Sequence, residues 1–236
     1  MMSKLVSSVL LLLALAGPVI ATEECVILLH GLVRSTGSMD TLKENLQQKG
    51  YLTVNNGYPS REYPIETLAP LAIEPALLEC RSAGATKINF VTHSLGGILV
   101  RQYLVEYEIP ELHRVVMLGP PNQGSGAVDI LRDSWAFDRM NGPAGQQLGT
   151  GSDSVPRRLG AVDFELGIIA GSNSINPVLS MLVPGVDDGK VSVASTWVDG
   201  MADFIVVPAT HAFMMRDGGV IMQVAYFLRH GLFEKV

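Results

Sequence analysis

A serine between an apolar stretch and two glycines is the first feature of the sequence that could do chemistry. Residues 90–97 read FVTHSLGG, which predicts a buried strand, a sharp turn and the start of a helix. Such a turn presents a serine hydroxyl above a sheet, where it can act as a nucleophile. Its usual form is G-x-S-x-G, but Thr92 holds the first small position here and Gly96 the second. We expect Ser94 to be a nucleophile; the alternative is a serine that only caps a helix.

A serine hydroxyl is a weak nucleophile, so it needs a base that accepts its proton. His211 is the candidate, because it follows the last predicted strand in the loop VPATHAFM. We expect the side chain of His93, inside the turn, to point away from Ser94. The remaining histidines are His30, His113 and His230.

The base in turn needs a carboxylate that holds one of its two ring nitrogens. The turn GVDDGKVS at 185–192 lies between the serine and the histidine in the chain and offers Asp188 directly before a glycine. Asp187 is the near rival and Asp203 a more distant one. The alternative is a surface turn in which Asp and Gly have only their usual structural roles.

Two backbone N–H groups are required to stabilise the oxyanion that forms when a serine attacks a carbonyl. One is expected from Leu95, directly after the nucleophile, and the other from Leu32 in the sequence HGL after the first strand. His30 either orients this loop through a hydrogen bond or is simply a buried histidine.

Short apolar runs alternate with longer amphipathic ones after the N-terminal segment, which predicts parallel strands connected by helices. We therefore predict one three-layer α/β domain with a mostly parallel central sheet over residues 22–236. The predicted strands are 25–30, 51–55, 87–92, 113–118, 163–170 and 203–207. The predicted helices are 38–49, 65–83, 95–107 and 219–230. We expect the second helix to break near Pro70 or Pro75.

Residues 120–160 interrupt this alternation. They are rich in Gly, Pro and Ser and contain one helical stretch at about 128–140. Because so long a connection is unusual in a compact domain, we predict a short lid-like insertion that contacts the substrate.

The N-terminus and the cysteines bear on where the protein works. Residues 1–21 contain one early lysine, an apolar stretch and short side chains before Ala21, which predicts a signal peptide cleaved after Ala21 and a periplasmic or secreted protein. An uncleaved membrane anchor is the alternative. Cys25 and Cys80 either form a disulfide or remain buried thiols. With 17 basic and 23 acidic residues and a net charge of -6, nucleic acid is not an expected partner.

The sequence resembles the small exported bacterial lipases and esterases of the α/β-hydrolase family. The resemblance rests on HGL at 30–32, THSLGG at 92–97, GPPNQGS at 119–125, DDGKVS at 187–192 and TH at 210–211. It implies hydrolysis of carboxylic esters through an acyl-enzyme, without a cofactor. It also implies Ser94 as nucleophile, Asp188 as orienting acid, His211 as base, and Leu32 with Leu95 as oxyanion donors. Separately, no cluster of His, Asp and Glu in the sequence has the spacing of metal ligands, so no catalytic metal is expected.

Two other functions remain open at this point. A thioesterase or an acyltransferase would use the same three side chains, since only the leaving group or the acceptor differs. A binding protein could retain the fold without the chemistry. The expected partner is an ester or lipid substrate, with transient contact to a lipid surface, and the chain is expected to be a monomer.

Overall fold

The protein is described by a computed structural model that covers residues 23–175, 177–181 and 183–235. The predicted signal peptide, 1–21, and its cleavage site after Ala21 lie outside these residues. In the part of the chain that is covered, no helix has the length and apolar character needed to cross a membrane.

Six strands form a single sheet in the order β2-β1-β3-β4-β5-β6, and every pairing is parallel. The strands are β1 (Glu24–Leu29), β2 (Leu52–Val54), β3 (Lys87–His93), β4 (Leu112–Leu118), β5 (Leu166–Gly171) and β6 (Asp203–Val207). All six predicted strands are present, with ends that differ by a few residues. Because all strands run in one direction, their carboxyl ends meet at one edge of the sheet.

Helices cover both faces of this sheet, which confirms the predicted three-layer α/β architecture. The longer helices are α1 (Asp40–Gln48), α2 (Ile65–Ser82), α3 (Leu95–Glu106) and, near the end of the chain, α9 (Gly218–His230). The side chains of β1 alternate between the two core layers. Those of Cys25, Ile27 and Leu29 pack with α2 and α3, whereas those of Val26 and Leu28 pack with α1 and α9.

Helix α2 continues through both of its prolines, so the break expected near Pro70 or Pro75 is wrong. Each proline removes one helical hydrogen bond and crowds the preceding turn. The apolar side of the helix, with Leu68, Ile73 and Ala76, is fully or almost fully buried against the sheet. Burial of these side chains offsets the local cost of the prolines.

The two cysteines form a disulfide between β1 and α2, which decides between the two alternatives left open by the sequence. Cys25 and Cys80 are both fully buried and 55 residues apart in the chain. A loop of this length corresponds to about 4 kcal/mol of stabilisation in the chain-entropy model.

The segment 120–160 contains three short helices rather than the single helical stretch expected at 128–140. They are α4 (Gly126–Leu131), α5 (Trp135–Gln146) and α6 (Val155–Arg158). Ser134 separates the first two because its backbone is extended. Helix α5 is itself kinked at Gly142, where φ is +62°, a conformation that favours glycine.

A buried arginine attaches this segment to the rest of the protein. The guanidinium of Arg101, on α3, donates hydrogen bonds to the carbonyl and the side chain of Asn122 and to the carbonyl of Gly160. Its burial, without a carboxylate partner among the described residues, lowers the pKa of Arg101 to about 10. Both ends of the segment are therefore fixed to the same helix. Two further short helices, α7 (Pro177–Ser180) and α8 (Val193–Thr196), follow β5.

Candidate active site

Ser94 lies in a strained turn between β3 and α3. Its φ and ψ are +52° and -118°, a region that residues other than glycine rarely adopt and that is often found at functional sites. The backbone N–H of Ser94 donates to the carbonyl of Leu118 at 2.9 Å. A side chain at Gly96 would place its Cβ 2.7 Å from the carbonyl oxygen of Leu29. Glycine at that position therefore allows α3 to begin close to β1.

The turn forms although Thr92 replaces the usual first glycine. Thr92 is fully buried, and its hydroxyl has no hydrogen-bond partner among the described residues. The hydroxyl instead faces Gly97, where a Cβ would lie 3.2 Å from it. The extra atoms of Thr92 are thus accommodated by a second glycine.

Ser94, His211 and Asp188 form one chain of hydrogen bonds. The Ser94 Oγ lies 3.1 Å from His211 Nε2, and His211 Nδ1 lies 2.7 Å from Asp188 Oδ2. Because a carboxylate only accepts hydrogen bonds, Nδ1 of His211 carries the proton and Nε2 accepts from the serine hydroxyl. All three side chains are largely buried, which strengthens their interactions.

Among the described residues, neither of the two rival aspartates forms a hydrogen bond with the His211 ring. Asp187 Oδ1 accepts hydrogen bonds from the Ser180 hydroxyl and the backbone N–H of Gly189, both at 2.7 Å. Asp203 accepts from two backbone N–H groups, those of Phe204 and Phe233. In Asp188, Oδ1 accepts hydrogen bonds from the backbone N–H groups of Lys190 and Val191. This arrangement leaves Oδ2 of Asp188 directed at the histidine.

Gly119 makes room for the pair of Asp188 and His211. It follows β4 with a φ of +54°, and a Cβ there would lie 2.9 Å from Asp188 Oδ2 and 3.1 Å from His211 Nδ1. Any side chain at this position would press on the hydrogen bond between the two residues.

The loop after β1 lies against the serine turn. A Cβ at Gly31 would be 3.2 Å from the Cβ of Ser94, so the backbone between His30 and Leu32 passes directly beside it. His30 Nδ1 donates to the carbonyl of Gly31 at 2.9 Å, and its ring stacks on that of Tyr58 at 4.1 Å. The Tyr58 hydroxyl also donates to the carbonyl of His30. His30 thus orients this loop, one of the two roles considered from the sequence.

His93 has a contact that the sequence did not predict. Its Nε2 donates to the backbone carbonyl of His211 at 2.9 Å, and the two rings lie 4.8 Å apart. The pKa of His93 is well below its usual value, because the ring is desolvated by burial and lies near His211. His93 is therefore a neutral ring packed against the candidate base, with its Nδ1 facing Gly31. In the sequence, the only indication that His93 belongs to the site is its position next to Ser94.

An apolar cavity of about 350 Å³ opens at Ser94 and His211. Its walls come from the loop after β1, from α4 and α5, and from the turn after Asp188. The apolar lining side chains include Leu32, Val128, Leu131, Phe137, Leu148 and Val191. Two cations, Arg34 and Lys190, also line it. Sequence reasoning missed both cations, since an isolated basic residue in a loop carries no pattern.

The comparisons with known proteins agree with this architecture. No family model matches the chain. Palmitoyl-protein thioesterase 3 from Dictyostelium discoideum is 25% identical over 201 residues, which are 83% of this chain. The chain spans only 56% of the length of that curated relative.

Solved structures show the same fold at low sequence identity. The mature lipase BlEst2 from Bacillus licheniformis is similar with a TM-score of 0.68 and 18% identity, covering 92% of this chain and 95% of the lipase. Phospholipase PlaB from Legionella pneumophila gives a TM-score of 0.69 and 18% identity, covering 87% of this chain and 58% of the phospholipase. The parallel sheet, the serine turn after its third strand and these similarities show that the chain has the α/β-hydrolase fold.

Proposed function

We propose that the protein is a serine hydrolase that cleaves carboxylic esters through an acyl-enzyme on Ser94. The observation that carries this proposal is the hydrogen-bonded chain of Ser94, His211 and Asp188 at the mouth of an apolar cavity. A nucleophile, a base and an orienting carboxylate in this geometry are the parts that acyl transfer needs.

In the first half-reaction, Ser94 Oγ attacks the carbonyl carbon of the ester while its proton passes to His211 Nε2. The carbonyl oxygen becomes an oxyanion, which the backbone N–H groups of Leu32 and Leu95 stabilise. The ionised Asp188 stabilises the imidazolium that has formed. The intermediate then expels the alcohol, which takes the proton from His211 and leaves an acyl-serine.

In the second half-reaction, a water molecule replaces the alcohol. His211 removes a proton from the water as it attacks the acyl-serine, and the same two N–H groups bind the new oxyanion. Collapse of this intermediate returns the proton to Ser94 and releases the carboxylic acid. No cofactor enters either step.

A thioesterase is the second candidate, supported by the similarity to palmitoyl-protein thioesterase 3. The chemistry at Ser94 is the same, but a thiol leaves instead of an alcohol. An acyltransferase would differ only in the acceptor that replaces water.

The proposed substrate is an acyl lipid or a shorter ester, because apolar side chains line most of the catalytic cavity. In this proposal residues 1–21 are a signal peptide, and the mature monomer works in the periplasm or outside the cell. The disulfide between Cys25 and Cys80 supports an oxidising compartment. The segment 120–160 acts as a lid, and its helices meet lipid surfaces transiently.

The test is hydrolysis of matched oxygen esters and thioesters with acyl chains from short to long, by the purified mature protein. We expect turnover of oxygen esters without added metal. A higher kcat/KM for the thioester than for the oxygen ester of the same acyl chain would favour the thioesterase. Because the acyl chain is the same in both substrates, the difference reports on the leaving group alone. Absence of turnover on both series by the folded protein would contradict the proposal.

The acyl site can be tested at Val128, which lies on α4 and lines the cavity with 8% of its surface exposed. Replacing it with phenylalanine fills part of the space available to the chain. We expect kcat/KM for long-chain esters to fall about tenfold or more, with a change of less than about threefold for acetate esters. Ile130→Phe is the matched control, because Ile130 is on the same helix but 59% exposed. Equal losses for long and short esters would place the acyl chain elsewhere.

A further inference from the structure

A second cavity, of about 750 Å³, lies beside the catalytic one. Its walls are the loops after β1 and β2, residues 33–38 and 58–62, together with Arg216. Arg34 lines both cavities. In contrast to the catalytic cavity, the second one is lined by three arginines, Arg34, Arg61 and Arg216, and by a single carboxylate, Glu62.

The cations around these two cavities form no ion pair with any carboxylate that the structure describes. Within the described ranges, none of Arg34, Arg61, Arg216 and Lys190 forms an ion pair. The chain as a whole carries a net charge of -6. A local group of unpaired cations in an acidic protein creates a positive potential that attracts an anion.

Arg34 connects this positive region to the catalytic residues. Its Nη2 donates to the carbonyl of Ala212, directly after His211, at 3.4 Å. Partial burial of the Lys190 ammonium and, next in size, repulsion by Arg34 lower the pKa of Lys190. Both cations line the catalytic cavity, and an anion bound at Arg34 would reduce the repulsion between them.

The loop that carries Arg34 is held in a strained conformation. Val33 has a φ of +59°, which is costly for a β-branched residue and persists only where the surroundings hold it. Its backbone N–H donates to the hydroxyl of Ser60 at 3.2 Å, and Ser60 belongs to the opposite wall of the second cavity. The same loop carries Leu32, the proposed oxyanion donor. Both walls of the second cavity are thus fixed relative to the reacting carbonyl.

We propose that the second cavity binds a phosphate group on the leaving group of the substrate, so that the enzyme prefers acyl esters or thioesters of phosphate-bearing alcohols or thiols. This inference rests on the proposed function, which places the scissile carbonyl at Ser94. The acyl chain occupies the apolar cavity, so the leaving group extends to the other side of the carbonyl, toward Arg34. Guanidinium groups match phosphate oxygens through paired hydrogen bonds, and three of them line this cavity.

The experiment compares substrates that differ only by phosphate. The lipid pair is a lysophosphatidic acid and the monoacylglycerol with the same acyl chain. The soluble pair is the thioester of 4'-phosphopantetheine and that of pantetheine with the same acid. We expect kcat/KM to be about tenfold or more higher for the phosphate-bearing member of at least one pair, and to approach that of its neutral partner at high salt. A preference in the lipid pair alone identifies the phosphate as part of a lipid headgroup. A preference in the soluble pair alone identifies it as part of a soluble compound.

The double variant Arg61→Gln/Arg216→Gln tests the location of the phosphate. Both arginines are exposed, so the variant is expected to fold, which a thermal unfolding curve verifies. We expect the ratio of kcat/KM between the phosphate-bearing substrate and its neutral partner to fall about tenfold in this variant. Arg229→Gln removes the same kind of charge at the opposite edge of the sheet, where Arg229 lines a separate cavity, and is expected to keep the preference.

Two negative results have different meanings. Equal kcat/KM for both members of each pair, with Ser94-dependent turnover, would overturn the phosphate site and leave the proposed function standing. No turnover of any ester or thioester would contradict the proposed function instead. In that case calorimetric titration with glycerol 3-phosphate tests whether the second cavity binds phosphate. Binding that the double variant loses supports a phosphate site, and no binding by the wild type overturns it.

Discussion

Replacing Ser94 with alanine is expected to abolish ester hydrolysis while the protein stays folded. Removal of the nucleophile from a serine, histidine and aspartate arrangement lowers kcat by roughly 10⁶-fold. The Ser94 hydroxyl makes its hydrogen bond to His211 Nε2, and alanine tolerates the positive φ about as well as serine does. The measurement is kcat on a chromogenic ester, with a thermal unfolding curve for each protein.

Ser154→Ala is the matched control for this variant. Ser154 and Ser94 are both 9% exposed, but the hydroxyl of Ser154 has no hydrogen-bond partner among the described residues. We expect the control to keep wild-type kcat. If Ser94→Ala retained more than about one hundredth of the wild-type rate, a covalent mechanism through Ser94 would be wrong.

Asp188→Asn is expected to lower kcat by about 10⁴-fold, whereas Asp187→Asn changes it by less than about threefold. The backbone N–H groups of Lys190 and Val191 occupy Oδ1 of Asp188, and in the variant the amide oxygen must take that place. The amide NH₂ then faces His211 Nδ1, which has to accept a hydrogen bond. The ring proton moves to Nε2, and the histidine can no longer accept a proton from Ser94.

Asp187→Asn is a sharp control, because the two aspartates are adjacent and similarly buried. The Asp187 carboxylate bonds to Ser180 and Gly189, and these contacts do not reach His211. Both variants are compared by kcat and kcat/KM on one short ester, after their melting temperatures have been shown to agree. A greater loss in Asp187→Asn would mean that Asp187 orients the base.

Local patterns carried most of the information about the fold. A buried strand followed by Ser94 and two glycines predicted a turn that the structure contains, because a continuous apolar run and the glycines that a tight turn needs are neighbours in the sequence. The same is true of the six strands and of the parallel sheet. Pro70 and Pro75 show where local reasoning failed, since the packing of α2 on the sheet overrode the preference of proline.

The sequence by itself determined the three-layer α/β fold and, through chain order and turn chemistry, the short set of candidates that includes Ser94, Asp188 and His211. Only the tertiary structure decided that Asp188 rather than Asp187 faces His211, that His93 packs against His211, and that Arg34 lies near Lys190. It also paired the two cysteines. These contacts join residues far apart in the chain, so they depend on strand order and on the direction of each side chain, which no local pattern contains.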